Sequence, residues 1–284
     1  MLRLILTRIF LGCLTLFAVT ILIFAATEIL PGDVASAILG QGATPETLAA
    51  FRIELGLNRP AYVRYFEWLF NALQGDLGTA LTNKREVLAT ITPRLINTLF
   101  LAGYAAVIAV PIAIFLGIVA AINEGKWIDR AANIVSLGAI SVPEFFIAYI
   151  LIFVFATNLG WFPSLSTVYS DMGFWQKIHV VALPSITLTM LVTAHMLRMT
   201  RASVLAIMSQ PYIEMAFLKG LPRNQVILHH ALPNAAAPII SVIALNLAYL
   251  IVGVVVIEVV FVYPGIGQYM MDGRLLYTSP SPRD

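Results

Sequence analysis

The sequence predicts an all-α membrane bundle, and three observations carry that reading. The chain of 284 residues is 60% hydrophobic and only 11% charged, with a mean hydropathy of +0.88. No soluble domain of this size hides so much apolar surface behind so few charges. Its charge-poor runs match the roughly 20 apolar residues that cross the hydrocarbon of a bilayer. One amphipathic stretch, Tyr212–Pro233, breaks the pattern late in the chain. The net charge of +2 gives no reason to expect nucleic acid, and no basic cluster with interleaved aromatics occurs. The lone cysteine, Cys13, lies in an apolar run, so neither a disulfide framework nor a thiolate metal site is available.

Five spans follow in order. Ile9–Thr27 has no charge between Arg8 and Glu28, and Leu95–Asn123 none between Arg94 and Glu124. Ala131–Thr157 is apolar apart from Glu144, and Ile178–Leu197 apart from His179 and His195. Asn224–Ile257 is charge-free before Glu258, its apolar part starting near Ala235. The first span reads as an uncleaved anchor: it is long for a signal peptide, and Thr27–Pro31 is a poor small-residue cleavage site. Lysine and arginine bias sets the orientation. Arg3 and Arg8 precede the first span, Lys126 and Arg130 lie between the second and third, and Arg198, Arg201, Lys219 and Arg223 between the fourth and fifth. The N-terminus and the Tyr212–Pro233 loop are therefore expected in the cytoplasm, with 28–94 on the opposite side.

The region 28–94 is expected to hold two amphipathic helices. Thr44 caps the first with Pro45 at its first position, Leu48, Phe51 and Leu55 share a face, and Gly56 ends it. Pro60 starts the second, which runs through Tyr62, Tyr65, Phe66, Leu69, Phe70 and Leu73 to Gly75. They either pack on the outer face of the bundle or dock an external partner. Pro111, Pro143 and Pro184 fall in or at the start of spans, which suits helices lining a pathway and equally suits ordinary kinks. No phosphate loop of the form GxxxxGK[ST], nucleophile elbow or zinc-protease helix occurs, so the chain is expected to be no enzyme and to need no cofactor of its own. His229 and His230 are adjacent and point to different helix faces, a poor metal pair.

The amphipathic stretch reads as helix, glycine, helix. Pro211 suits a first helical turn, and Ile213, Met215, Ala216 and Phe217 give an apolar, partly small surface. Gly220 can take the left-handed conformation that ends a helix. A second helix is expected over Arg223–Leu232, with Pro233 and Pro238 marking entry to the fifth span. Such a loop either docks in a partner's socket or lies on membrane lipid as an interfacial helix.

At these residues the chain resembles a known family. Glu214-Met215-Ala216, then Gly220, Ile227 and Leu232-Pro233, is similar to the Glu-Ala-Ala loop of ABC importer permeases, which inserts into a cleft of the ATPase subunit. Leu30-Pro31-Gly32-Asp33, Glu54–Pro60, Gly75-Asp76-Leu77-Gly78, Arg198–Ser203 and Glu258–Gly267 resemble segments of the dipeptide/oligopeptide branch, so the likeness covers about Met1–Met271. It implies a type I ABC importer permease bundle in a bacterial or archaeal cytoplasmic membrane. It also implies partners: two ATPase subunits, a second homologous permease and an external substrate-binding protein. The cargo would be a peptide or one of the other solutes that relatives carry, nickel complexes, glutathione and opines. Coupling would rest on Glu214, Met215, Ala216, Gly220, Ile227, Leu232 and Pro233. Met215 stands where alanine is usual, and Pro211 and Phe217 where an acidic and a basic residue are frequent, which changes the fine docking chemistry. The expected organisation is a span over 1–27, an outer helical region over 28–94, and a permease core over 95–273 with its coupling loop at 202–234. The family's sixth helix after the Pro264-Gly265-Ile266-Gly267 turn is expected to be missing here, and 274–284, Pro- and Ser-rich, is expected to be non-native.

Ionisable groups inside spans suggest function by default. Glu144, His195, Asn246 and Glu258 are candidates for the pathway; the alternatives are an interhelical hydrogen bond for Glu144, a packed neutral ring for His195, a neighbouring helix for Asn246 and an interfacial position for Glu258. A rival reading is a proton-coupled secondary transporter with Glu144, His195 and Glu258 as the relay. Against it stand the absence of an internal repeat and a loop left with no task. A third reading is a membrane subunit with no transport of its own.

Overall fold

The computed structural model describes residues 2–29, 35, 39, 44–54, 56–80, 84–169 and 171–278, with side chains at all of these except 223, 224 and 273–278. Leu55, the Leu30-Pro31-Gly32-Asp33 segment and 279–284 lie outside the described residues. The chain divides into two compact units, Met1–Thr92 and Pro93–Asp284.

The first unit holds α1 (Leu2–Ile29), α2 (Pro45–Glu54) and α3 (Ala61–Leu73). Both short helices form where turn chemistry places them. The Thr47 amide donates to Thr44 Oγ1 at 3.3 Å ahead of α2, and α3 stops at Gln74-Gly75. Tyr65 is the buried residue of α3, because Phe17 and Phe24 of α1 enclose its ring. Its hydroxyl shares a hydrogen bond with Thr20 at 2.8 Å, and Arg64 pairs with Glu28 at 2.6 Å.

The second unit is built around one helix. It contains most of α4 (Val87–Ile122), then α5 (Trp127–Ser141), α6 (Glu144–Leu151, drawn on by a π-helical stretch over Ile152–Asn158), α7 (Phe174–Val180) and α8 (Ala182–Met208). After these come α9 (Pro211–Leu218), α10 (Arg223–Val226), a π-helical stretch (Ile227–Ala231), α11 (Leu232–Gly253), α12 (Val255–Val260) and α13 (Ile266–Thr278). Helix α8 is the hub, buried from Ala182 to Val204 at positions all round its circumference. It meets α5, α6, α7, α9, α11 and α12. Helix α4 reaches it through a ladder of small residues four apart: Ala105, Ala109, Ala113, Gly117 and Ala121 are all buried. Between helices in lipid, small residues let backbones approach and dispersion replaces the hydrophobic drive. At Gly117 the approach is extreme: a Cβ there would stand 2.7 Å from Thr200 Cβ and 2.9 Å from the Leu197 carbonyl oxygen.

Among the described residues three helices are long and apolar enough to cross a membrane, and up to five spans result if each bent pair counts as one. Three expectations need correcting. The expected Ala131–Thr157 span is not straight. It bends by 99° between α5 and α6, because proline disfavours helical backbone in the residue before it; Val142 is extended at φ −93°, ψ 130°. Glu144 therefore opens α6 and does not sit mid-span. The fourth span is likewise a pair, α7 and α8, bent by 60° at Val181, with Pro184 in the first turn of α8. The expected separate helix over Arg223–Leu232 is also absent. The backbone stays helical through the π stretch into α11, so Pro233 lies in the first turn of α11 and Pro238 inside it. The Asn234 side chain donates to the His230 carbonyl at 2.7 Å, satisfying one acceptor along this proline-bearing stretch.

Gly117→Val is expected to lower stability by about 1–3 kcal/mol, the range for an overpacked interior. Denaturant titration of the purified chain in detergent, beside Gly103→Val on the same helix where the added Cβ meets nothing within 4 Å, checks it.

Candidate coupling site

Helix α9 hangs off the end of α8 through a tight turn. Gln210 is extended (φ −79°, ψ 144°) and Pro211 is the first helical residue. Its missing N–H would have had no helical partner there, and its ring presets the helical φ. One face of α9 is anchored. Ile213 and Ala216 are buried with Val226 and Ala231, and Ile207, Met208 and Leu221 pack around them. The other face is open: Glu214 and Gly220 are exposed, as are Tyr212, Met215, Phe217 and Leu218. Among the described residues the Glu214 carboxylate has no hydrogen-bond or ion-pair partner.

Gly220 ends α9 in a Schellman motif. The Gly220 amide donates to the Phe217 carbonyl at 2.9 Å and the Leu221 amide to the Ala216 carbonyl at 3.4 Å. That pattern needs a left-handed residue, and Gly220 has φ +81°. A Cβ at Gly220 would meet nothing within 4 Å, so its cost within this chain is conformational and not steric.

The seven loop residues separate into groups. Glu214, Met215 and Gly220 present outward, Ala216 is buried in the anchor, and Ile227 is buried in the π-helical stretch. Leu232 packs on the next cluster up, with Val204, Ala235 and Ile239, and Pro233 is exposed at the start of α11. The outward surface formed by Met215, Phe217 and Leu218 is apolar.

Two buried carboxylates hold the elements that carry this loop. Asp129, 4% exposed, receives both the Nε and Nη2 of Arg201 at 2.5 and 2.8 Å, the Gly125 amide at 3.0 Å and Asn133 Nδ2 at 2.9 Å. It ties α5 to α8 about two turns before the end of α8. Glu258 is completely buried. It accepts from Thr98 Oγ1 at 2.6 Å and from the amides of Gly267 and Gln268 at 2.7 and 3.2 Å. Thr98 Oγ1 in turn accepts the Ile266 amide at 3.0 Å. The first three amides of α13 are thus satisfied by two side chains from elsewhere, one carrying the negative charge that a helix N-terminus favours. The carboxylate occupies the space a side chain on Gly265 would need. Tyr263 completes the turn: its hydroxyl donates to the Asn97 carbonyl at 2.8 Å, and burial, with the nearby Glu258 charge adding, pushes its ionisation well above the usual tyrosine range. It stays a donor.

The other pathway candidates do not join this network. Glu144 is half-buried at the start of α6, His195 is exposed on α8, and half-buried Asn246 turns its amide back to the Val242 carbonyl at 2.8 Å. No hydrogen bond or ion pair among the described residues links Glu144, His195 and Glu258. Asp129, Asn97 and Thr98 escaped the sequence reading. The available signal was polarity inside an apolar run, at Asn97-Thr98 within Leu95–Leu101, and an acid directly before a span at Asp129.

Comparison with known proteins places the chain among permeases. The family described as "Binding-protein-dependent transport system inner membrane component" matches residues 113–281. Its N-terminal membrane component matches residues 1–102. The glutathione transport system permease protein GsiC of Escherichia coli K12 is 38% identical over 258 residues, covering 91% of this chain and 82% of its own. The proteins of the same name from Shigella flexneri serotype 5b and Shigella boydii serotype 4 are 38% and 37% identical with the same coverage.

Two substitutions probe the anchors. Arg201→Met leaves Asp129 buried and unpaired, which typically costs about 3–5 kcal/mol, so its detergent melting point should fall well below that of Arg198→Met. Glu258→Ala strands three donors and should cost about 2–4 kcal/mol, with Glu258→Gln losing less. A Glu258→Gln chain that keeps its melting point but loses transport would instead mark a relay role.

Proposed function

The chain belongs to the binding-protein-dependent inner-membrane transport family, and from that premise we propose that α9 is the helix through which ATPase subunits drive it. The family membership makes the chain a multi-pass inner-membrane permease of an ABC importer, not itself an enzyme, working with ATPase and substrate-binding partners. The finer reading is carried by one observation. Helix α9 is fixed on one face by Ile213 and Ala216 and presents Glu214, Met215, Phe217 and Leu218 on the other. A helix anchored this way transmits a push; one lying loose on lipid would not.

ATP-driven closure of the ATPase dimer would move α9 and, through it, α8 and the rod formed by α10 to α12. That motion would exchange inward- and outward-facing states, with the work entirely conformational. Glu214 would meet a basic or hydrogen-bond-donating group of the ATPase, and Met215, Phe217 and Leu218 an apolar cleft wall. The basic residues near α9 and at the start of α1 support a cytoplasmic location for both, with 28–94 outside, beside the substrate-binding protein. A second homologous permease completes the pathway. The likeness to glutathione permeases favours a small peptide-like cargo.

Gly220→Arg should abolish transport while leaving membrane insertion intact, because its side chain opposes the left-handed turn and fills open space on the docking face. Gly220→Ala, which strains the same backbone by about 1–2 kcal/mol but adds little bulk, should retain most uptake. Uptake by reconstituted vesicles, with co-purification of the ATPase as a second readout, decides it. Normal uptake by Gly220→Arg would remove α9 from coupling.

A further inference from the structure

The second unit carries an apolar groove of about 510 Å³ between α4, α5 and α8, which the coupling reading does not use. Trp127, Val135, Ala139, Met190, Thr193 and Leu197 define its course. From Trp127 to Ala139 it runs about 18 Å along α5, at about 1.5 Å of rise per residue. One leaflet of a bilayer offers about 15 Å of hydrocarbon, half the roughly 30 Å core. The groove is therefore as long as one acyl chain is deep.

Its mouth is charged. Lys126 immediately precedes Trp127, Arg198 immediately follows Leu197, and both are exposed. Neither side chain has a hydrogen-bond or ion-pair partner among the described residues, in contrast to Arg201, which Asp129 occupies. Trp127 is 76% exposed beside them, the placing of an aromatic ring at the headgroup level. Within the groove the Thr193 hydroxyl is buried and has no hydrogen-bond partner. A donor there suits an ester carbonyl, which a phospholipid carries between headgroup and chain.

We propose that this groove is a site for an anionic phospholipid of the surrounding bilayer, its acyl chain along α5 and α8 and its phosphate between Lys126 and Arg198. A cation near an anionic headgroup is worth about five- to sixfold in binding, so two should give about a thirtyfold preference over a zwitterionic lipid. The site depends only on the chain spanning a membrane, so it stands or falls apart from the role of α9.

The test is quenching of Trp127 by brominated lipid. The full chain with W68F, W161F and W175F keeps Trp127 as its sole indole. In phosphatidylcholine vesicles, brominated phosphatidylglycerol should quench it at about thirtyfold lower mole fraction than brominated phosphatidylcholine. The preference should vanish in K126Q/R198Q. Equal quenching by both lipids overturns the proposal, and quenching by neither overturns it in favour of a protein neighbour, such as a second permease, covering the groove. Native mass spectrometry of the chain with all its tryptophans is the independent readout: a retained phosphatidylglycerol adduct that K126Q/R198Q loses supports the site, and no adduct overturns it.

Discussion

The close approach of α4 and α8 is the constraint on which the second unit depends. A helix with buried positions all round its circumference needs neighbours that conform to it, and lipid supplies no hydrophobic drive to press them together. The ladder from Ala105 to Ala121 solves this by removing side-chain bulk, and at Gly117 the surfaces meet with no room for a methyl group. Dispersion then acts between backbones along several turns. With α4 seated, α8 has α5, α6 and α11 to fill its remaining sides, and both buried carboxylates come within reach of their donors.

Those carboxylates work at opposite ends of the unit. Asp129 fixes α5 to α8 near α9 through Arg201, and Glu258 fixes the turn after α12 to α4 through Thr98. Each is satisfied by several donors from more than one element, the condition under which a buried charge is tolerated. Ion and hydrogen-bond chemistry is thus kept to the ends and the middle left to small-residue packing. Arg198, one turn before Arg201, is left free by the same arrangement.

Much of this was legible in the sequence. Periodicity and charge gaps located the apolar helices, and the turn chemistry at Thr44-Pro45, Pro211 and Gly220 placed short elements where they form. Composition did not reveal bends, because an apolar run reads the same whether or not Val142 is extended. It missed the continuity of α10 to α12, because proline reads as a stop while a π-helical turn carries the backbone past Pro233. Glu258 looked interfacial because the charge-free run ends at Ile257, just before it; its burial comes from the returning chain at Tyr263–Gln268, a tertiary effect no local window contains. The alanine ladder was hidden for a similar reason: small residues raise hydropathy like any others, and only a partner helix gives their spacing a meaning.

The distribution of breaks bears on how the proposed coupling would travel. From α9 inward the apolar contact is unbroken: Ile207 and Met208 belong to the surroundings of both the α9 anchor and the next cluster, and Ile243 links that cluster to the main core. Packed interiors shift as blocks between discrete arrangements and do not deform smoothly. The departures from regular α-helix at Val142, Val181 and Val254 all lie toward the ends of their helices remote from α9. Between α9 and those points α8 is an unbroken rod pinned to α5 by Asp129. A displacement delivered at Glu214–Gly220 would therefore be carried undiminished along α8 and taken up at the far breaks, where the backbone already departs from helix and rotation is least costly. On this reading the bends that sequence periodicity could not see are the hinges of the lever, and the helix that it did see is the handle.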